Sequence, residues 1–424
     1  MARAGVGSDA EAAVGGDSKI ATGADAETAT GLADRPRRVT RTNSGQRPGR
    51  DMPNFSDRVE RISISGIREV FEAAGDDAIN LGIGQPDFPT PNHARQAAVD
   101  AIEAGKADAY TENKGTRSLR EAIAEKHRRD QGVDLDPNNV VATAGGSEAL
   151  HIALEAHVDA GDEVLVPDPG FVSYDALTKL AGGEPVPVPL RDDLTIDPAA
   201  VEAAITDDTA VFVVNSPGNP TGAVSSEADI REFARIADEH DVLCLSDEVY
   251  EYTVFDGEHR SPMEYAETDS VVVVSSASKL FSMTGWRLGW VYGSPARVER
   301  MVRVHQYVQA CASAPAQYAA EAVLRDDRGA VEEMTAAFER RRDIVVDGLD
   351  EIGLDCPTPR GAFYAMPRVP DGFVDECLDR GVIVVPGSAF GEGGAGHARI
   401  SYATDEAELR EALDVMAAAY DAVV

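Results

Sequence analysis

Lysine is scarce in this chain. Only six of its 39 basic residues are lysine, so any lysine placed behind an apolar run stands out. Cysteine is also sparse: Cys244, Cys311, Cys356 and Cys377 form no CxxC pair and no regular spacing, and read as reduced thiols of a cytoplasmic protein. The eight histidines are scattered without ligand spacing, so no metal site is expected. No apolar run approaches the ~18 residues a membrane helix needs, and the N-terminus has no signal-type apolar segment. Positive charge is in deficit. Seventy-four acids against 39 bases leave a net charge of −35, which repels nucleic acid and anionic membranes and excludes both as expected partners. The acids are spread along the whole chain. Together with the shortage of lysine, that spread points to a high-salt cytoplasm, where screening shortens to about 3 Å near 1 M salt and self-repulsion becomes tolerable.

What is present has an ordered rhythm. Residues 1–51 are rich in Ala, Gly, Asp and Thr and end in the basic RPRRVTRTNSGQRPGR, and they are expected to be a disordered tail, with Met52 as a candidate true start. Beyond it the apolar runs VVATAG, EVLVPDPG, AVFVVNSPGNPTG, VLCLSDEVY and VVVVSSASK each end in small or polar residues. Most are followed by amphipathic stretches such as SEADIREFARIADEHD. This alternation predicts an α/β fold whose mostly parallel central sheet is sandwiched by helices. The polar residues beyond the strands' carboxyl ends are then the candidate site. The expected division is 52–90 as a segment packing with a small domain, 91–325 as a large domain and 326–424 as a smaller α/β domain.

The chemistry-bearing residues sit at those strand ends. Lys279 follows four valines and SSAS, and Leu280 and Phe281 come next. An isolated lysine there reads first as a surface residue. Desolvation and Arg287 nearby would instead lower its pKa and produce a neutral amine able to attack an aldehyde. Gly145 and Gly146 free backbone N–H groups at a helix start, and with Ser147 they read either as connector chemistry or as an anion cradle. Ser276, Ser278 and Arg287 would add hydrogen bonds to a phosphate. Asp247 ends an apolar strand, where a carboxylate is costly unless paired; it is either a turn cap or the partner of a protonated pyridine nitrogen. Asn219 and Tyr250 could donate to such a cofactor's ring oxygen, although NPTG is also a good plain turn.

The ordered set LGIGQPDFPTP, YTENKGTRSLREAIA, GGSEAL, DPGFVSY, NSPGNPTG, SDEVY, SSASKLFSMTGWRLGW, PRGAFYAMP, VPGSAFG and ARISYAT resembles the class I pyridoxal-phosphate-dependent aminotransferases of fold type I. Within that family the chain is similar to the archaeal aromatic and aspartate branch, over about Asn54 to Val424. The resemblance implies pyridoxal 5'-phosphate as cofactor, with Lys279 as the Schiff-base lysine and proton carrier. It implies Asp247 as the pyridinium partner, Asn219 and Tyr250 as ring-oxygen partners and Phe171 stacked on the ring. It implies Gly145, Gly146, Ser147, Ser276 and Arg287 around the phosphate, and Tyr110 reaching that phosphate from a neighbouring subunit, hence a homodimer. Arg399 is implied as the clamp on the substrate carboxylate, and Gly84 as backbone close to the substrate.

The implied reaction is ping-pong transamination between an L-amino acid (aromatic, aspartate or broad) and a 2-oxo acid, with 2-oxoglutarate the expected acceptor. Some relatives carry lysine where this chain has Ser147, which tilts the expectation from aspartate toward aromatic or broad donors. The rival on the same scaffold is a β-lyase or synthase. A cofactor-sensing transcription regulator is disfavoured by the short, unpatterned tail, and a Rossmann dehydrogenase by the lack of GxGxxG after a strand.

Overall fold

Seven strands form one sheet, and their order explains why distant motifs meet. The computed structural model describes residues 55–63, 78–326 and 329–424, all within the unit Phe55–Val424. The expected tail over 1–51 and the candidate start at Met52 lie outside the described residues. In chain order the strands are β1 (Ile79–Asn80), β2 (Val140–Thr143), β3 (Glu163–Asp168), β4 (Glu184–Pro189), β5 (Thr209–Asn215) and β6 (Leu243–Asp247). They continue as β7 (Val271–Ser276), β8 (Gly289–Tyr292), β9 (Tyr364–Ala365), β10 (Val382–Ile383), β11 (Val385–Pro386) and β12 (Ala398–Ser401).

The large sheet runs β2-β8-β7-β6-β5-β3-β4. Only β8 opposes its neighbours; the other ladders are parallel. The carboxyl ends of six strands therefore lie along one edge, and β8 enters the sheet at that same edge, with Gly289 opposite both Thr143 and Ser276.

Successive residues along the strands bury toward opposite faces, which is why the runs are apolar throughout. Leu165, Phe212, Val214, Val271 and Val273 join one core with helices such as Arg117–Gln131 and Glu227–His240. Val164, Val211, Val213, Val272 and Val274 join another, with helices such as Gly146–His157. The helix predicted from SEADIREFARIADEHD shows the local logic. Ser226 caps it by accepting from Asp229 N, Ile230, Phe233, Ala234 and Ala237 form its buried stripe, and Asp241 ends it at φ +56°.

Strand β4, EPVPVP, is absent from the runs picked out in the sequence, because Pro185, Pro187 and Pro189 argue against a strand. It sits at the sheet edge and pairs only with β3, so the missing N–H groups at alternate positions fall on the unpaired side.

A third core gathers Leu81, Tyr250, Phe338, Phe363, Tyr364, Tyr402 and Leu409 around the antiparallel sheet β11-β12-β9 and the helices Gly329–Ile352 and Glu406–Val423. Strand β1 joins these elements by pairing in parallel with β10, and Ser401 N donates to Leu81 O at 2.7 Å.

Candidate active site

A cavity of about 380 Å3 opens beyond the carboxyl ends of the parallel strands. It is lined by Gly84, Gly146, Ser147, Phe171, Asn219, Asp247, Tyr250, Ser276, Ser278, Lys279, Arg287 and Arg399, twelve residues singled out from the sequence. A larger cavity of about 1010 Å3 shares Phe171 and Tyr174 with it but has no lysine or arginine among its described lining residues. The smaller one is therefore the candidate site.

Lys279 lies in a short helical turn, Ala277–Leu280, directly after β7. Ser276 ends the strand and caps that turn by accepting from Ser278 N. The Lys279 ammonium donates to the carbonyl of Gly84. Burial, with Arg399 and Arg287 adding repulsion, lowers its pKa to about 8, so a sizeable neutral fraction exists near neutral pH. A neutral amine here is a nucleophile and a base.

Asp247 ends β6 and is 3% exposed. Burial raises its pKa to about 6, against the hydrogen bond from Tyr174, whose hydroxyl donates to Oδ2 at 2.7 Å. Asn215 braces the neighbouring backbone: its amide nitrogen donates to Asp247 O at 2.9 Å, and its oxygen accepts from Asn219 N at 2.8 Å. A cation introduced beside this carboxylate would pull its pKa down and be held strongly.

At the opposite end, the helix Gly146–His157 points its N-terminus into the cavity, with Gly145 as N-cap at φ +81°. Arg287 adopts φ +51°, and its guanidinium folds back so that a Cβ on Gly145 would lie 2.5 Å from Nη2. A Cβ on Gly289 would meet Gly145 C and Gly146 N, each at 2.6 Å. Backbone N–H groups, the Ser147 and Ser276 hydroxyls and one guanidinium thus converge without intervening side-chain bulk, an arrangement suited to an anion.

Arg399 projects from β12 and is 3% exposed. Its Nη1 donates to Asn219 Oδ1 at 2.9 Å, its Nη2 to Gly82 O at 2.5 Å, and its Nε is buried without a partner among the described residues. The rings of Phe390 and Tyr364 lie 4.6 and 4.7 Å from its Cζ. Burial lowers its pKa, yet it stays a cation.

Two singled-out residues stand elsewhere. Gly145 acts behind the cavity wall through its contact with Arg287, and Tyr110 is 90% exposed, away from this chain's own cavity. Sequence reasoning missed Tyr174, Asn215 and Tyr364. Tyr174 lies in DPGFVSY three residues after Phe171, which precedes the helix Ser173–Ala181 that carries Tyr174, and their rings meet edge to face at 5.6 Å. A second buried lysine was also missed. Lys126 is 0% exposed and pairs with Glu251, within a network in which Gln131 donates to Glu248 and Glu251 and His259 pairs with Glu248. Glu248, Glu251 and His259 place three ligand-type atoms within 4.8 Å of one another, but Lys126, Gln131, Ser246, Ser261 and Ser275 already engage the two carboxylates.

Residues 76–416 match the family model for aminotransferase class I and II. The chain is 40% identical to a probable aspartate aminotransferase of Methanocaldococcus jannaschii, covering 85% of this chain and 98% of the relative. It is 41% identical to an aromatic-amino-acid aminotransferase 2 of Thermococcus litoralis, over 85% and 97%. Its fold matches the aspartate aminotransferase from Thermus thermophilus with maleate at a TM-score of 0.83 and 38% identity, covering 87% of this chain and all of that one.

Proposed function

This chain belongs to the aminotransferase class I and II family, enzymes that move amino groups from amino acids to 2-oxo acids on pyridoxal 5'-phosphate, and we propose that they do so here in the cavity around Lys279. The fit supports this reading. An anion cradle at Gly145, Gly146, Ser147, Ser276 and Arg287, a buried carboxylate at Asp247, and an amine between them match the phosphate, ring nitrogen and aldehyde of that cofactor. When bound, it supplies an aldehyde for imine exchange and an electron-withdrawing protonated ring.

The chain's own residues do the rest. Asp247, held by Tyr174, keeps the ring nitrogen protonated. Asn219 and Tyr250 would hold the ring oxygen, and Phe171 would cover the ring face. Lys279 would hold the aldehyde and, as a free amine, is placed to carry a proton from the substrate's α-carbon. Arg399, with its unpartnered Nε, receives the substrate carboxylate. Gly84 supplies a carbonyl that holds Lys279 in position and leaves the substrate room.

The donor side chain meets Ile83, Leu150 and Tyr364. Once Arg287 and Arg399 are committed, the described lining residues hold no further cation for a distal carboxylate. That favours aromatic or broad L-amino acid donors, with 2-oxoglutarate as acceptor. The relatives' names do not choose, since the aspartate and aromatic ones are equally similar. Exposed Tyr110 at 90%, Tyr307 at 87% and Val308 at 52% support a homodimer in which Tyr110 enters the partner's site. The net charge of −35 and four free cysteines support a high-salt, reducing cytoplasm, as in a halophilic archaeon.

The observation that carries this reading is the amine of Lys279, its pKa lowered to about 8, lining one cavity with Asp247 and Arg287. A donor screen with 2-oxoglutarate in high salt tests it. Glutamate formation from aromatic donors is expected. Pyruvate and ammonia from a β-substituted donor, with no glutamate, would establish the lyase instead.

A further inference from the structure

Beyond lining the space for the donor side chain, Tyr364 touches three of the groups given roles above. It lies in β9, opposite Ser401 of β12, which puts its ring diagonally across from Arg399 on the same face. The Arg399 Cζ stands 4.7 Å from the ring centroid. The Tyr364 hydroxyl is 2.9 Å from that of Tyr250, and among the described residues each hydroxyl has the other as its partner. Both side chains are buried, at 1% and 3% exposure. The hydroxyl also fills the space beside Gly84, where an added Cβ would lie 2.2 Å from it.

One hydrogen bond between two phenols uses one proton and leaves the other free. Where Tyr250 faces an anionic oxygen in the cavity, its own proton goes there. Tyr364 must then donate to Tyr250, and an accepted hydrogen bond makes Tyr250 a stronger donor. The packing against Gly84 keeps the Tyr364 hydroxyl from turning away. The same ring supports the guanidinium of Arg399 through its π face. We propose that Tyr364 is a positioning residue that acts twice: its hydroxyl directs the Tyr250 proton toward the cofactor's ring oxygen, and its ring fixes the plane of Arg399 for the substrate carboxylate. This rests on the proposed roles of Tyr250 and Arg399.

The two actions separate in two variants. Tyr364→Phe keeps the ring and removes the hydroxyl. In the reconstituted enzyme the pH midpoint of the bound cofactor's visible absorbance should rise by up to about one unit, because the anionic ring oxygen loses support. The donor KM should stay within about twofold, because the ring–cation contact remains. Tyr364→Leu should add a rise in donor KM of about 2- to 30-fold. Gly84→Ala displaces the same hydroxyl without removing it and should shift the midpoint in the same direction. In a Tyr250→Phe background, Tyr364→Phe should move the midpoint no further, since it acts through Tyr250. An unmoved midpoint in Tyr364→Phe, while Tyr250→Phe shifts it, overturns the proposal. A midpoint insensitive to Tyr250→Phe instead overturns the underlying role of Tyr250.

Discussion

Tyr174 donates its hydroxyl proton to Asp247 Oδ2 at 2.7 Å, from a helix that begins just beyond β3, two strands away from β6 in the sheet. The carboxylate is ready for a cation before any ligand arrives, and the apoprotein bears the strain of keeping it buried. The folded carboxyl holds its proton up to about pH 6, whereas the unfolded one releases it near 3.8. Between those values the folded chain binds more protons, so this group's contribution to stability falls as pH rises and stays low above 6. Asp247→Asn should therefore stabilise the apoprotein at pH 7, by up to about 3 kcal/mol for a shift of roughly two units, and abolish turnover. Thermal unfolding of the two apoproteins at pH 4 and pH 7 checks this; equal stability at both values would contradict it.

The amine of Lys279 reacts only when neutral. Capture of pyridoxal phosphate by the apoprotein, followed by absorbance, should speed up with pH through a midpoint near 8. A midpoint near the ordinary 10.5 of lysine would show that burial does not depress it. Lys279→Ala should hold the cofactor weakly and turn nothing over.

Arg399 presents a planar group whose Nη1 and Nη2 are already oriented by Asn219 and Gly82. Lysine cannot reproduce that fork. Arg399→Lys should raise the donor KM about 10- to 100-fold while lowering kcat less, since charge-assisted hydrogen bonds contribute about 1.5–3 kcal/mol each. Steady-state kinetics with one aromatic donor measures this, and an unchanged KM would remove Arg399 from the clamp.

With a net charge of −35, self-repulsion opposes the folded state in dilute buffer. The unfolding temperature should rise steeply as KCl goes from 0.1 to about 1 M, where the screening length drops from about 10 to 3 Å. Full activity and an unchanged unfolding temperature in dilute buffer would end the high-salt reading.

Much of this was legible because the parallel strands deliver their last residues to one edge. A motif at the end of an apolar run, such as SDEVY or SSASK, is placed by the fold class alone. Arg287 needed more: it arrives only because β8 runs backward and sets Gly289 against Thr143 and Ser276. Tyr174 and Tyr364 were passed over because a tyrosine in an apolar stretch reads as core, and both do pack as core. What sets them apart is the partner of a single hydroxyl, which spacing does not encode. Lys126 shows the same limit. It is more deeply buried than Lys279, but it arrives with its own carboxylates, and only the third dimension separates a lysine paired with carboxylates from one that is not.

The strip from Leu81 to Gly84 receives its contacts through carbonyls: Leu81 from Ser401, Gly82 from Arg399 and Gly84 from Lys279. Those contacts do not depend on the strip's side chains, which are constrained only where Leu81 packs into the third core and where Gly84 must stay small. Evolution can thus rewrite letters here more freely than it can add or drop one. A one-residue insertion or deletion would put every carbonyl out of step with its donor, so the tolerance of this strip is a tolerance of spelling and not of length.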